Sequence, residues 1–341
     1  MASISQIQYL LAIFLIIASW SSGVMPRKFQ DTFLSERHEL WIAKHGKVYK
    51  DAEEKEKRFK VFKENVEYIE SFNAASIKPY KLSINQFADQ TNDEFKAYRN
   101  GLKRLHGLRN ITGTSFKYEN VSHIPVALDW RKRGAVTPIK DQGQCGSCWA
   151  FSTVAATEGI HQLSSGKLVS LAEQELVDCD TKGLDHGCEG GYMEEGFEFI
   201  IKNGGITSEA NYPYTGFDGT CNPKKEASHV VTIKGYEKVP SNSEVALLKS
   251  VANQPVSVSV DAGGNFQFYS SGIFEGECGT ELDHGVTIVG YGIGDDGTKY
   301  WLVKNSWGTS WGEQGYIRMK RDIIAKEGMC GIAMDASYPI A

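Results

Sequence analysis

The chain is 341 residues long, 41% hydrophobic and 23% charged, with a formal net charge of −5. That apolar share excludes a disordered chain, and the acidic balance excludes nucleic acid as the default partner. The length accommodates one large domain or two ordinary ones. In chain order, residues 9–18 come first as an unbroken apolar run, followed by Ser19, Trp20, Ser21, Ser22 and Gly23. A bilayer span needs roughly 20 apolar residues, so this run is too short to be one. It has the form of a signal-peptide core cut near residues 22–25, and residues 1–24 are assigned to it. The expected route is secretory, where disulfides persist, and the expected product is a soluble protein with no membrane partner.

Charge then divides the chain. Residues 1–123 carry a balance of +5 and no cysteine, whereas residues 124–341 carry −10 and all seven cysteines. Opposite signs favour association of the two pieces, weakened by salt. The front piece reads as helical. Phe33, Leu40 and Trp41 have spacings of one helix face, as do Phe59, Phe62, Val66 and Ile69. Thr91-Asn92-Asp93-Glu94 has capping-box form and predicts a short third helix. From about residue 100 to 123 the apolar pattern fades. Asn110-Ile111-Thr112 and Asn120-Val121-Ser122 there are glycosylation acceptors suited to an exposed linker.

The body has two textures. Residues 148 to about 205 read as helices, with Phe151, Val154 and Ala155 opening an apolar stripe. Ser170-Leu171-Ala172-Glu173 predicts a second capping box, opening a helix to about Val177. From about residue 229 strands take over. Val256-Ser257-Val258-Ser259-Val260 alternates with period two, and residues 285–292 and 300–304 are further strand candidates around an Asp295-Asp296-Gly297 turn. Helices followed by strands indicate an α+β protein with two lobes.

The chemistry centres on Gln142-Gly143-Gln144-Cys145-Gly146-Ser147-Cys148-Trp149, a glycine-rich turn running into a helix. A cysteine in a helix's first turn feels the positive end of its dipole, which favours thiolate. Asp283-His284-Gly285 opens one strand and Asn305-Ser306-Trp307-Gly308 closes the next. If those strands pair, His284 and Asn305 can lie side by side, the imidazole moving a proton and the amide fixing its tautomer. Gln142 can offer a side-chain amide which, with the Cys148 N–H, would make an oxyanion hole.

These stretches resemble the papain family of cysteine endopeptidases, whose signature includes Cys-Gly-Ser-Cys-Trp. Ile124-Pro125 and Asp129-Trp130 match the start of the mature family enzyme, and Ser337-Tyr338-Pro339 its end. Glu54, Arg58, Phe62, Asn65, Ile69 and Asn73 reproduce the interrupted helical signature of the family's inhibitory propeptide. Asn85, Phe87 and Asp89 follow its second motif, with Ser83 where glycine is usual. The texture is most similar to plant vacuolar members, including senescence-associated ones.

The resemblance implies a papain-like fold with a helical left lobe and an antiparallel, barrel-like right lobe. It implies a mainly helical inhibitory propeptide at 25–123 and a mature peptidase at 124–341. Cys148, His284, Asn305 and Gln142 take the catalytic positions. The implied bridges are Cys145–Cys188, Cys179–Cys221 and Cys278–Cys330, leaving Cys148 free. Gly190 and Gly191 would hold substrate backbone, with Asp283 beside them and Trp307 shielding the His284–Asn305 contact. The main specificity pocket would be lined by Tyr192, Met193, Ser259, Leu282 and Gly285, with Asp335 at its base. That lining implies a hydrophobic preference, and a carboxylate floor could add tolerance of arginine.

The expected activity is hydrolysis of peptide bonds in proteins and peptides, with the propeptide as intramolecular inhibitor and cystatin-type proteins as candidate inhibitors. No cofactor, metal or nucleic acid is expected, and the protein is expected to be a monomer. A vacuole, a lysosome-like organelle and the extracellular space are all compatible with the route. Removal of the propeptide near residues 123–124 is expected at mildly acidic pH, as carboxylates joining the two pieces protonate. Three other readings remain: a catalytically silent storage or binding protein on the same scaffold, a Cys145–Cys148 redox pair, and a zinc site among Cys145, Cys148, Cys179, Cys188 and His186.

Overall fold

The computed structural model describes residues 27–75, 78–102 and 116–341. The apolar run at 9–18 and the acceptor Asn110 lie outside them, and no described helix is long and apolar enough to cross a membrane. The chain divides into two compact units, residues 1–67 and 68–341.

The first unit holds α1 (Arg27–His45) and the start of α2 (Ala52–Ala74). Leu34, His38 and Trp41 form its inward stripe, and the rings of His38 and Trp41 pack on Phe62 at 4.8 and 5.3 Å. Phe33 and Leu40, expected on that stripe, face solvent. Leu40 and Trp41 are neighbours, about 100° apart around the axis, and the stripe through Trp41 runs by steps of three and four to His38 and Leu34.

In the second unit, β1 (Tyr80–Leu82) leads to α3 (Asn92–Arg99). The capping box forms: Glu94 N–H donates to Thr91 Oγ1 and Thr91 N–H to Glu94 Oε2. Beyond β2 (Leu128–Asp129), a helical lobe is built from α4 (Cys148–Ser165), α5 (Glu173–Cys179) and α6 (Met193–Asn203) around Trp149, Val154, Leu176, Phe197 and Ile200. The capping box expected at Ser170 does not form, and α5 starts at Glu173 without a side-chain cap. The buried Glu173 carboxylate accepts instead from Lys140 Nζ at 2.7 and 2.9 Å. A charged donor is a stronger partner than a backbone amide.

The other lobe follows α7 (Pro223–Glu226), β3 (Gly235–Lys238) and α8 (Glu244–Val251). It adds β4 (Val256–Val260), β5 (Tyr269–Phe274), β6 (His284–Ile293), β7 (Lys299–Lys304), β8 (Tyr316–Lys320) and β9 (Ala336–Ile340). Strand order is β1-β5-β8-β7-β6-β4-β9-β3, with β2 beside β6. The expected barrel-like lobe is an open sheet, and β5 and β8 run parallel where every other pair is antiparallel. Its core is separate and rich in aromatic residues, among them Phe266, Tyr269, Trp301 and Trp311.

The two lobes meet along α4. Every residue of β4 is buried: its valines join the sheet core, while Ser257 turns to the helix and donates to the Ser152 carbonyl at 2.9 Å. Ser152 Oγ in turn donates to the Val286 carbonyl at 2.7 Å. Gly159, one face further along α4, lies where a Cβ would stand 2.5 Å from Pro255 Cγ. Replacing Gly159 by alanine therefore forces helix and strand apart. We expect a loss of about 1–3 kcal/mol in stability, read as a lowered denaturation midpoint.

Candidate active site

Cys148 is the first residue of α4. The turn before it is clamped, because Cys145 is bonded to Cys188 and Gly146 N–H donates to the Cys188 carbonyl at 2.9 Å. A side chain on Gly146 would meet that same carbonyl. The clamp sets the turn beside Gly190 and Gly191. The remaining bridges are Cys179–Cys221 and Cys278–Cys330, so Cys148 is the free cysteine. A Cys145–Cys148 redox pair and a zinc site drawing on Cys145, Cys179 and Cys188 are both incompatible with this bonding.

His284 opens β6, and antiparallel pairing of β6 with β7 brings it to Asn305, just past the end of β7. Its Nε2 lies 2.8 Å from Asn305 Oδ1, which also accepts from Ser306 N–H. An amide oxygen only accepts, so Nε2 carries the proton. In a neutral ring Nδ1 is then the basic nitrogen. It is buried and makes no hydrogen bond among the described residues. The Trp307 ring stacks on the imidazole at 4.5 Å, and Trp311, Phe95 and Phe266 surround it edge-on. All four expected catalytic residues, Cys148, His284, Asn305 and Gln142, are buried.

The cover is the segment after α3. Gly101 N–H donates to Cys148 Sγ at 3.4 Å, and Gly285 N–H donates to the same sulfur at 3.3 Å. Gly191 N–H donates to the Gly101 carbonyl at 2.9 Å, and Leu102 N–H to the Asp283 carbonyl at 3.1 Å. The Gln142 amide donates to the Arg99 carbonyl at 2.9 Å, while its oxygen accepts from Ser306 Oγ at 2.6 Å. Lys96 Nζ lies 3.1 Å from Asp283 Oδ2. The sulfur therefore faces an N–H rather than an electrophilic carbon, and a protein carbonyl already holds the Gln142 amide.

Burial decides the charge state. It pushes the Cys148 thiol up to about 11, against the lowering effect of the Gly285 and Gly101 N–H groups. It pushes His284 down to about 4, against the Asn305 hydrogen bond. In the covered form burial thus favours the neutral thiol and the neutral ring, the direction opposite to that of the helix dipole.

Of the residues expected to line the pocket, Met193, Ser259, Gly285 and Asp335 come together. Ser259 and Gly285 face each other across β4 and β6, and a Cβ on Gly285 would be 3.1 Å from Met193 Sδ. Ser259 Oγ donates to Asp335 Oδ2 at 3.0 Å, and Tyr192 feels the Asp335 charge. Leu282 packs towards Gly331. One residue escaped the sequence reading: Lys238 Nζ lies 3.1 Å from Asp335 Oδ1 and 3.2 Å from Glu194 Oε1. Only the β3–β9 register, with Lys238 opposite Ser337, reveals it. Of the two glycosylation acceptors, Asn120 is exposed.

Residues 124–340 match the model of the papain family cysteine proteases, and residues 38–95 that of the cathepsin propeptide inhibitor domain (I29). The chain belongs to the papain family. It is 58% identical over 314 residues to the senescence-specific cysteine protease SAG39 of Oryza sativa subsp. japonica, covering 91% of each chain. It is 60% identical to vignain of Ricinus communis, over 89% of this chain and 85% of that one. The proform of the ragweed pollen allergen Amb a 11, a cysteine protease, superposes with a TM-score of 0.84 at 46% identity, covering 90% and 94% of the two chains. A stem bromelain precursor gives 0.83 at 47%, covering 90% and 98%.

This papain-family chain is thus a cysteine protease precursor carrying its own inhibitor domain. Contact at Gly101 tests the cover. A methyl group there would overlap the Gly146 carbonyl. Gly101→Ala is expected to speed iodoacetamide labelling of Cys148 in the intact precursor by about tenfold or more, a shift of about 1.4 kcal/mol in local opening. An unchanged labelling rate would show that the cover does not depend on this close approach.

Proposed function

We propose that Cys148 attacks a peptide carbonyl as a thiolate once the 99–102 segment has left, with His284 as its proton partner. The carrying observation is the His284–Asn305 bond. It fixes the ring with Nδ1 free, and Nδ1 can take the thiol proton. Return of solvent removes the burial that keeps both groups neutral, and the helix terminus and the Gly285 N–H then favour the anion. The oxyanion sits between the Gln142 amide and the Cys148 N–H. His284 protonates the leaving amine, then activates the water that hydrolyses the thioester. Trp307 keeps water from the His284–Asn305 contact, and Gly190 and Gly191 hold the substrate backbone.

In this reading residues 1–24 are the signal peptide, 25–123 the propeptide and 124–341 the mature enzyme, a monomer open to cystatin-type inhibitors. The working compartment is a vacuole, a lysosome-like organelle or the extracellular space. A silent protein on this scaffold is disfavoured because all four expected catalytic side chains are present and Asn305 orients the His284 ring. Replacing Cys148 by alanine should abolish peptide hydrolysis. Gln142→Ala should lower kcat by about 10²–10³ and leave the precursor folded.

Transfer of the thiol proton to His284 leaves the proton count of the pair unchanged, so acid does not act on the cover through Cys148 and His284, and the expected trigger remains the carboxylates that join the two pieces. Asp283 is not one of them, since burial raises its pKa, and acid does not loosen the segment through that carboxyl. Purified precursor held at pH 5 should therefore mature and become reactive to a thiolate-directed epoxide, and precursor held at pH 7 should not. Equal processing at both would remove the acid trigger.

A further inference from the structure

Resting on the peptidase reading above, we propose that Lys238 closes the main specificity pocket to arginine by occupying the carboxylate that would otherwise bind it. Asp335 has two oxygens. Oδ2 accepts from Ser259 Oγ at 3.0 Å and Oδ1 lies 3.1 Å from Lys238 Nζ. Both are committed before a substrate arrives. The ammonium is held from its other side by Glu194, 3.2 Å away in the first turn of α6 and next to the pocket residue Met193. Lys238 stands on β3, at the edge of the sheet, so one side chain from the sheet lobe bridges a helix-lobe carboxylate and the pocket floor.

An incoming guanidinium would have to displace an ammonium gripped by two carboxylates, or sit beside it as a like charge. A leucine or phenylalanine side chain faces no such conflict. It needs only the apolar surface of Met193, Leu282 and Gly285, and the floor beneath is an internally compensated ion pair rather than an unpaired charge. The side chain of Lys238 is 32% exposed against 13% and 17% for Glu194 and Asp335. The cation is thus the most accessible member of the trio.

The test uses enzyme matured from the full precursor and two peptides that differ only in leucine or arginine at the second residue before the cut. Wild type should prefer leucine by about 100-fold or more in kcat/KM. Lys238→Met, which keeps the stem and removes the charge, should raise the arginine-to-leucine ratio by about tenfold or more. Asp335→Asn added to it should cancel that gain. Arginine cleavage within about tenfold of leucine in the wild type overturns the proposal without any variant. So does a ratio that Lys238→Met leaves unchanged, or a gain that survives Asp335→Asn. Active-site titration of each protein separates these outcomes from failure of the peptidase reading, in which wild type would cleave neither peptide and bind no titrant.

Discussion

The sulfur of one residue has to stand within hydrogen-bonding distance of a strand that belongs to a different hydrophobic core. Cys148 begins α4 in the helical lobe, and His284 and Gly285 begin β6 in the sheet lobe. Their meeting, with Gly285 N–H 3.3 Å from Cys148 Sγ, is possible because glycine leaves the strand backbone bare where Met193 and the Cys148 carbonyl press against it. Gly159 repeats the device against Pro255, and across the seam Ser257 donates to the Ser152 carbonyl while Ser152 donates to the Val286 carbonyl. The lobes are not merely adjacent. Small residues and short polar side chains set their spacing, and that spacing places Cys148 beside the start of β6.

The precursor keeps this geometry intact while residues 99–102 occupy the site and exclude solvent from it. Covering the sulfur and the imidazole leaves the pair in place but makes the neutral thiol and neutral ring the favoured states. The covering segment does so without presenting anything to attack. It offers Gly101 N–H to the sulfur and the Arg99 carbonyl to the Gln142 amide. Inhibition by desolvation is reversible by construction, since nothing in the site has to be rebuilt when the segment leaves.

The sequence displayed the parts whose rules are local. The capping box at Thr91, the Val-Ser alternation of β4 and the glycine-rich turn before Cys148 all appear in the structure because each depends on neighbours within a few residues. The same local rule failed at Ser170, where Lys140 drew the Glu173 carboxylate away from the cap. It failed on α1, where adjacent Leu40 and Trp41 could not both face inward. The pairing of His284 with Asn305 was legible only on the condition that two strands pair. Lys238 was not legible at all, because β3 and β9 are far apart in sequence and their register decides what Asp335 touches. The neutral thiol was equally hidden: the helix terminus is written in the sequence, but its desolvation depends on where Gly101 comes to rest.

A buried set of charges behind the site carries the argument about lobe placement one step further. Lys140 lies 3.2 Å from Glu158 on α4 and 2.7 Å from Glu173 on α5. Glu158 also accepts from Thr137, which accepts from Lys304 Nζ at 2.8 Å, and Lys304 is the last residue of β7, immediately before Asn305. Two lysines and two glutamates thus share the seam, where burial pushes the Glu173 carboxyl up and the Lys304 ammonium down. Such a network adds little stability over apolar packing, because each charge gives up its hydration. What it supplies is direction. An apolar contact tolerates sliding, whereas removing any one partner here leaves another buried charge uncompensated. The strand end that presents Asn305 to His284 is therefore fixed against the helix that presents Cys148, by groups that touch neither.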